Sequence, residues 1–483
     1  MAKLNFENIT YFEKRLVGTT QVVQNARISV KNDIAEVISV GVDSIVNSYE
    51  IGSQPTFYGK TNLRFVYFDG SSLQSANYNA DFTSAIDGEV SDRDKLIFDV
   101  TVSEIRTETN ANTATVSVLS DVCCYAYTEY KTPCLVGGDA YVKTDKAELT
   151  HSAEIVSIPF GVERELTASK NITTVLLAES NLCVTDYTNV DDVLRIGGEA
   201  TVRLTYLSDG EPTTDTLSFS FERELDSQGI SSDSQLRLFA HVNATKVRLN
   251  ISENEDNTDF TVEMPCILRI EATQSGVVDF VTDAYGVDCD FSFDRENITS
   301  TLPCATSVCK KAVSLALPDD IKPITAFNVS ATVTNCSSLD GAAQVEGYVT
   351  ATLLVKEENG YEGKTVELPF VKQVEADYLT AKCACKARVR VEDFSVVDGT
   401  AELCVSLYGD QSANYQILTD AREIPFDKSA SPAIEICLAS KGESLWNLAK
   451  NLHLAEDDLL ATNPDITNPL EKDTRLVVFN KIV

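Results

Sequence analysis

The sequence predicts a mainly β chain, with three repeated antiparallel β-sandwich-like domains followed by a small strand–helix–helix–strand (βααβ) domain. Three observations carry this reading. Apolar and polar residues alternate over run after run rich in Thr, Val, Ile and Tyr, as in strands with one covered face. A set of strand and turn marks recurs three times in one order, as internal repeats do. Helical spacing is weak before Ser444 and clear after it.

The marks begin with an alternating run that ends in a turn. Residues 62–68 run into Asp69-Gly70, 200–207 into Asp209-Gly210, and 348–355 into Asn359-Gly360. Such dipeptides supply the positive φ angles of tight hairpins. A glycine precedes each run, at Gly59, Gly198 and Gly347. A second alternating run follows each turn, at 80–86, 217–222 and 366–371. Next comes a long strand pair, 96–105 with 113–119, 236–249 with 259–268, and 384–397 with 400–407. Polar turns join the pairs at 110–112, 255–257 and 398–399. A tripeptide closes each unit: Asp139-Ala140-Tyr141, Asp283-Ala284-Tyr285 and Asp420-Ala421-Arg422. These marks place domains at 1–147, 148–291 and 292–425 and the terminal domain at 433–480, with 425–432 as a linker. In the third unit Cys385, Ala387, Val389 and Val391 are expected to face inward, and Lys386, Arg388, Arg390 and Glu392 to face water.

In the terminal domain Ser444 is placed to cap a helix over 445–452, whose Leu445, Leu448, Ala449 and Leu452 share one face. Trp446, the only tryptophan, is expected to pack against the domain's own sheet. A second helix over 456–462 opens on three carboxylates, which suit the positive end of a helix dipole, and Asn463-Pro464 stops it.

Composition narrows the function. The chain has 483 residues and a formal net charge of −33, from 73 acidic and 40 basic side chains. That balance opposes nucleic acid and anionic lipid as partners, since both demand Lys and Arg. It suits solubility, with steering of a basic partner as the alternative. No run reaches the roughly 18 apolar residues of a membrane span, and the opening residues lack a secretory signal's apolar core. Thirteen irregularly spaced cysteines, without a CxxC pair, read as reduced, mostly buried thiols rather than a disulfide frame. Cross-linking between chains through an exposed thiol is a further option. Three scattered histidines, His151, His241 and His453, and no phosphate loop point to no catalysis, no cofactor and no metal.

The terminal segment resembles the LysM module. The resemblance rests on Gly442-Glu443-Ser444-Leu445-Trp446 and Asn463-Pro464 at family spacing within strand–helix–helix–strand order. It departs from the family's frequent Gly-Asp-Thr at Gly442-Glu443-Ser444, and from Pro-Gly-Gln at Lys472-Asp473-Thr474. LysM modules bind N-acetylglucosamine-containing glycans in a groove between two loops. The resemblance therefore implies a binding site at Gly442, Glu443, Ser444, Leu445, Asn463, Pro464, Asp465 and Ile466. The three β units resemble the SPOCS domain of spore-coat proteins, on their strand-to-turn runs and closing tripeptides. Together the two resemble the family of SpoIVA-interacting coat morphogenetic proteins. That implies a non-enzymatic scaffold in the mother-cell cytoplasm, at the forespore surface or spore coat. Its partners would be the basement-layer ATPase (SpoIVA-like) and other coat proteins. The alternative is a cell-envelope protein that binds peptidoglycan or another N-acetylglucosamine glycan, and a cell-wall hydrolase is the more distant one.

Overall fold

A computed structural model describes residues 3–250, 257–318, 320–358, 360–426 and 432–479. The chain is mainly β, built from several antiparallel sheets. In chain order the first strands are β1 (Leu4–Ser29), β2 (Glu36–Glu50), β3 (Thr56–Phe68), β4 (Leu73–Ala85), β5 (Lys95–Asn110) and β6 (Thr113–Gly138). Next come β7 (Tyr141–Thr167), β8 (Thr174–Val190), β9 (Val193–Ser208), β10 (Glu211–Asp226), β11 (Gln235–Val242), β12 (Lys246–Asn250) and β13 (Asp259–Tyr285). Then follow β14 (Cys289–Pro303), β15 (Ser307–Ser314), β16 (Pro323–Leu339), β17 (Ala342–Glu357), β18 (Gly360–Glu375), β19 (Ala384–Ser395) and β20 (Thr400–Pro425).

Three of the sheets are meanders: β2-β3-β4, β8-β9-β10 and β16-β17-β18. Each lies against a sheet built on a long strand. These are β1-β6-β5, β13 with β7, β11 and β12, and β20 with β14, β15 and β19. Buried side chains from both members fill the space between, such as Phe57, Phe82, Leu96 and Val122 in the first pair and Leu204, Phe221, Phe260 and Leu268 in the second. The period-2 pattern explains this. Phe260, Val262, Met264, Cys266, Leu268, Ile270 and Ala272 alternate along β13 and all are buried.

Each central meander strand carries the same local device. Gly59, Gly198 and Gly347 pair with Phe82, Phe221 and Phe370 on one side. On the other side they pair with Val46, Val184 and Val333, and a bulge follows each valine. A side chain at Gly59 would meet the Phe82 ring at 2.1 Å, so the missing Cβ makes room for the aromatic ring. The long-strand sheets share a second device. Their register slips between Asn5 and Phe6, Val281 and Asp283, and Asp294 and Arg295. Beside these slips Leu135, Val281 and Leu418 pack together in one buried cluster.

Two expectations about turns need correction. Asp209-Gly210 is the tight hairpin expected, with φ of 51° and 79°. Gly360, however, belongs to β18 and pairs with Glu357, and Asn359 lies outside the described residues. Gly360 closes the β17–β18 hairpin with φ of 149°, and a Cβ there would also meet the Phe68 ring at 2.4 Å, so this glycine serves a contact between sheets as well as the turn. The first closing tripeptide is also out of register. Asp283 and Asp420 sit just past matching bulges, where the first sheet has Gly137, and Asp139 follows the end of β6. The polar turn at 255–257 lies mostly outside the described residues, as do residues 427–431 of the expected linker.

The largest departure concerns the face of β19 expected to meet water. Arg390 donates to the carbonyls of Leu182 and Ala240, Glu392 is 3% exposed and bonds Thr201, and Lys386 lies 4.1 Å from the Tyr125 ring centre. This face meets the second meander, at Leu182 and Thr201, and the other two long-strand sheets. Charges from all three long-strand sheets interlock there. Lys14 Nζ lies 3.2 Å from Glu271 and 3.7 Å from Asp410. Arg237 Nη1 lies 2.7 Å from Asp410, and Asp99 takes Arg269 at 3.1 Å and Arg388 at 2.6 Å. The Arg269 and Arg388 guanidinium groups also cover the Phe239 ring. An apolar cluster joins the meanders in the same way, with Phe68 and Leu73 beside Leu176 and Leu207, and Phe327 and Leu354.

One consequence is a pH dependence. Burial alone would raise the Asp99 carboxyl, but the Arg269 and Arg388 guanidinium groups outweigh it and hold it below its ordinary value. A pKa depressed by folding contributes stability that is complete above the unfolded value of about 4 and is lost as pH falls through the folded one. Acid titration followed by near-ultraviolet circular dichroism should therefore show the junction weakening below about pH 4, and Asp99→Asn should flatten that part of the curve.

Candidate functional site

The terminal segment continues with β21 (Ile434–Ala439), α1 (Leu445–Leu452), α2 (Glu456–Thr462) and β22 (Thr474–Phe479). Strands β21 and β22 pair antiparallel from Ile434↔Phe479 to Ala439↔Thr474. Ser444 caps α1, its hydroxyl accepting from Asn447 N–H at 3.2 Å. Leu445, Leu448 and Ala449 point into a core with Leu459, Leu470, Leu476 and Val478. Glu456, Asp457 and Asp458 occupy the first turn of α2.

The structure gives the residues of the expected groove other work. Gly442 N–H donates to Leu470 O, Glu443 O accepts from Leu470 N–H, and Leu445 N–H donates to Asn468 Oδ1 at 3.0 Å. The Glu443 carboxylate accepts from Ser440 N–H at 2.7 Å. The first loop is thus tied to residues 468–470. Asn463 holds the second loop to the sheet. Its side-chain amide donates to Val477 O at 2.8 Å and accepts from Val477 N–H at 2.8 Å, in the manner of a strand neighbour. It also donates to Leu459 O, and Ile466 N–H donates to Asn463 O. Pro464 and Asp465 are exposed beside it. Asn463→Ala is accordingly expected to cost about 1–3 kcal/mol, because both Val477 groups lose their partner. Thermal unfolding followed by Trp446 fluorescence measures it.

Trp446 packs against the core that its segment shares with Tyr285, and it reaches the body as well. Its Nε1–H donates to Asp283 Oδ2 at 2.9 Å and its ring meets Tyr285 edge-on at 5.0 Å. Lys450 Nζ lies 2.6 Å from Asp283 Oδ1, and the Tyr285 hydroxyl donates to Leu454 O at 2.8 Å. Tyr285 is fully buried and stacks on Tyr141. On the other side His453 stacks on Phe426 at 3.8 Å, with Asp290 at 3.2 Å from Nε2. The segment is therefore seated on the end of β13. Sequence reasoning singled out Asp283-Ala284-Tyr285 as a repeat mark and missed this role.

The outer face of the two-stranded sheet is open. Ile434, Ile436, Leu438 and Phe479 are 59, 69, 73 and 51% exposed and lie side by side, with Arg475 at one end. Contiguous exposed apolar side chains of this kind mark interaction surfaces. Among the described residues no group of three or more His, Cys, Asp or Glu side chains could hold a metal ion, and no helix is long and apolar enough to cross a membrane.

The fold and site thus define a mainly β chain with a helix-containing terminal segment seated on its body. No protein-family model, no curated protein and no solved structure matches the chain.

Proposed function

We propose that the chain is a non-enzymatic morphogenetic scaffold of the spore coat, acting on the mother-cell side of the forespore surface. Three SPOCS-like β domains form its body, and a LysM-like βααβ module docks it onto the basement-layer ATPase. The threefold recurrence of the valine–glycine–phenylalanine device and of the matched bulge supports three copies of one domain. The strand–helix–helix–strand order and the capping Ser444 support the LysM-like reading of the terminus.

The observation that carries the choice of ligand is the open apolar face of Ile434, Ile436, Leu438 and Phe479. A protein partner buries such a face, whereas the amides a glycan would need at Gly442, Leu445 and Asn463 are bonded inside the module. Capture of the purified ATPase by the full chain tests this. Wild type should retain it and Ile436→Glu should lose at least about tenfold in affinity, since a charge would be buried without a partner. Equal retention by both chains would remove the proposal's main support.

A further inference from the structure

Four thiols converge where the third long-strand sheet meets its meander, near Gly409 of β20. Cys304 follows β14 and Cys383 precedes β19, and their Sγ atoms lie 3.5 Å apart. Cys336 of β16 and Cys385 of β19 lie 3.3 Å apart. Between them runs β20, where Gly409 O accepts from Cys304 N–H at 2.8 Å and Gly409 pairs with Cys385. A Cβ at Gly409 would lie 3.2 Å from Leu379 Cδ2 and 3.7 Å from Cys383 Cβ, so the glycine leaves the space in which these side chains converge.

We propose that these four residues form a redox-responsive double staple, with disulfides Cys304–Cys383 and Cys336–Cys385 formed by exchange with a small-molecule disulfide. The sulfurs need to close by about 1.5 Å in the first pair and about 1.3 Å in the second to reach the roughly 2.05 Å of a disulfide bond. Thiol–disulfide exchange needs a thiolate attacker and a second thiol to resolve the mixed disulfide. Each pair is polarised in that sense. Hydrogen bonding to Cys385 holds the Cys336 thiol down against burial, while the same bond and burial push Cys385 up. Burial raises Cys383, yet hydrogen bonds to Thr380 and Cys304 win and bring it down, while burial pushes Cys304 up to about 12.

With oxidised glutathione as the reagent, the half-buried Cys336 thiolate attacks one glutathione sulfur and releases the first glutathione thiolate. Cys385 then yields its proton to the departing glutathione thiolate as its sulfur attacks Cys336 sulfur in the mixed disulfide, which releases the second glutathione. Two electrons pass from the protein thiols to glutathione disulfide, and the two thiol protons end on the two glutathiones. The Cys304–Cys383 bond forms with the same balance.

The consequence is mechanical. Cys336–Cys385 joins the meander to the long-strand sheet beneath it. Cys304–Cys383 fixes the two segments flanking β20, and Arg237 Nη2 donates to both Gly409 O and Cys304 O, the latter at 3.3 Å. Oxidation therefore stiffens the carbonyls on which the charged junction between sheets is anchored.

Incubation of the full chain in oxidised glutathione, followed by alkylation and peptide mapping, tests the inference. Both named pairs should be recovered as disulfides, the thermal midpoint should rise, and dithiothreitol should reverse both. Cys304→Ser with Cys336→Ser should abolish the rise. Cys336→Ser alone should leave only Cys304–Cys383 in the map. Continued alkylation of all four thiols, recovery of other pairings, or an unchanged midpoint in the wild-type chain would overturn it.

Discussion

Replacing Arg237 with alanine is expected to destabilise the body by about 3–5 kcal/mol, read as a lower denaturant midpoint. Arg237 is 2% exposed and faces Asp410 at 2.7 Å. Removing it strips the partly buried Asp410 carboxylate of its nearest cation and leaves the Gly409 carbonyl with only the Cys304 N–H. Asp410 would keep only Lys14, at 3.7 Å. A buried charge left without its partner costs far more than the pair contributes as a pair. Arg237→Met combined with Asp410→Leu should therefore recover most of the loss. The double substitution separates loss of pairing from loss of packing, because it removes both charges and keeps the volume. Arg237→Lys should not rescue, since one ammonium cannot reach the carboxylate and two carbonyls in one plane.

The second large effect is expected at the seat of the terminal segment. Tyr285→Ala removes a fully buried ring that stacks on Tyr141, meets Trp446 edge-on and donates to Leu454 O. A loss of about 3–5 kcal/mol follows from the cavity and the missing hydrogen bond. Much of that energy holds the terminal segment to β13, so the segment should come away while the body stays folded. Trp446 is the chain's only tryptophan, and its indole would exchange Asp283 and Tyr285 for water. Its emission should shift to longer wavelength with little change in far-ultraviolet circular dichroism. Asp283→Ala should give a smaller shift in the same direction, because the edge-on Tyr285 contact remains.

These predictions rest on contacts that local sequence pattern cannot reveal. Alternation along 384–392 correctly separated the two faces of β19, with Val389 and Val391 buried. It could not show that Arg388 and Arg390 meet other sheets, because their partners Asp99, Leu182 and Ala240 lie far away in the chain. Polar alternation marks the side opposite one core, and that side can be either water or a second interface. Both terminal helices were legible because their signals are local: Ser444, Leu445, Leu448 and Ala449 for α1, and three opening carboxylates with the Asn463-Pro464 stop for α2. The groove residues were legible as positions in loops but not as functions. Asn463 reads as a helix stop in sequence, and only folding shows its amide clamping Val477. The glycines tell the same story. Gly210 is a turn glycine by its neighbours, whereas Gly360 is also required by Phe68, nearly three hundred residues earlier.

The thiol staple and the charged junction meet at Gly409, so their tests inform one another. If oxidation stiffens the anchor of Arg237, the Arg237→Ala loss should be smaller in the oxidised chain than in the reduced one.

The most direct test of the scaffold account compares two ligands on the same 483-residue chain, with and without Ile436→Glu. Purified peptidoglycan sacculi and the purified basement-layer ATPase are each titrated against both proteins. The account predicts saturable binding of the ATPase to wild type, at least about tenfold weaker binding to Ile436→Glu, and no saturable retention on sacculi. Saturable binding to sacculi that Ile436→Glu leaves intact, with no binding of the ATPase, would contradict it.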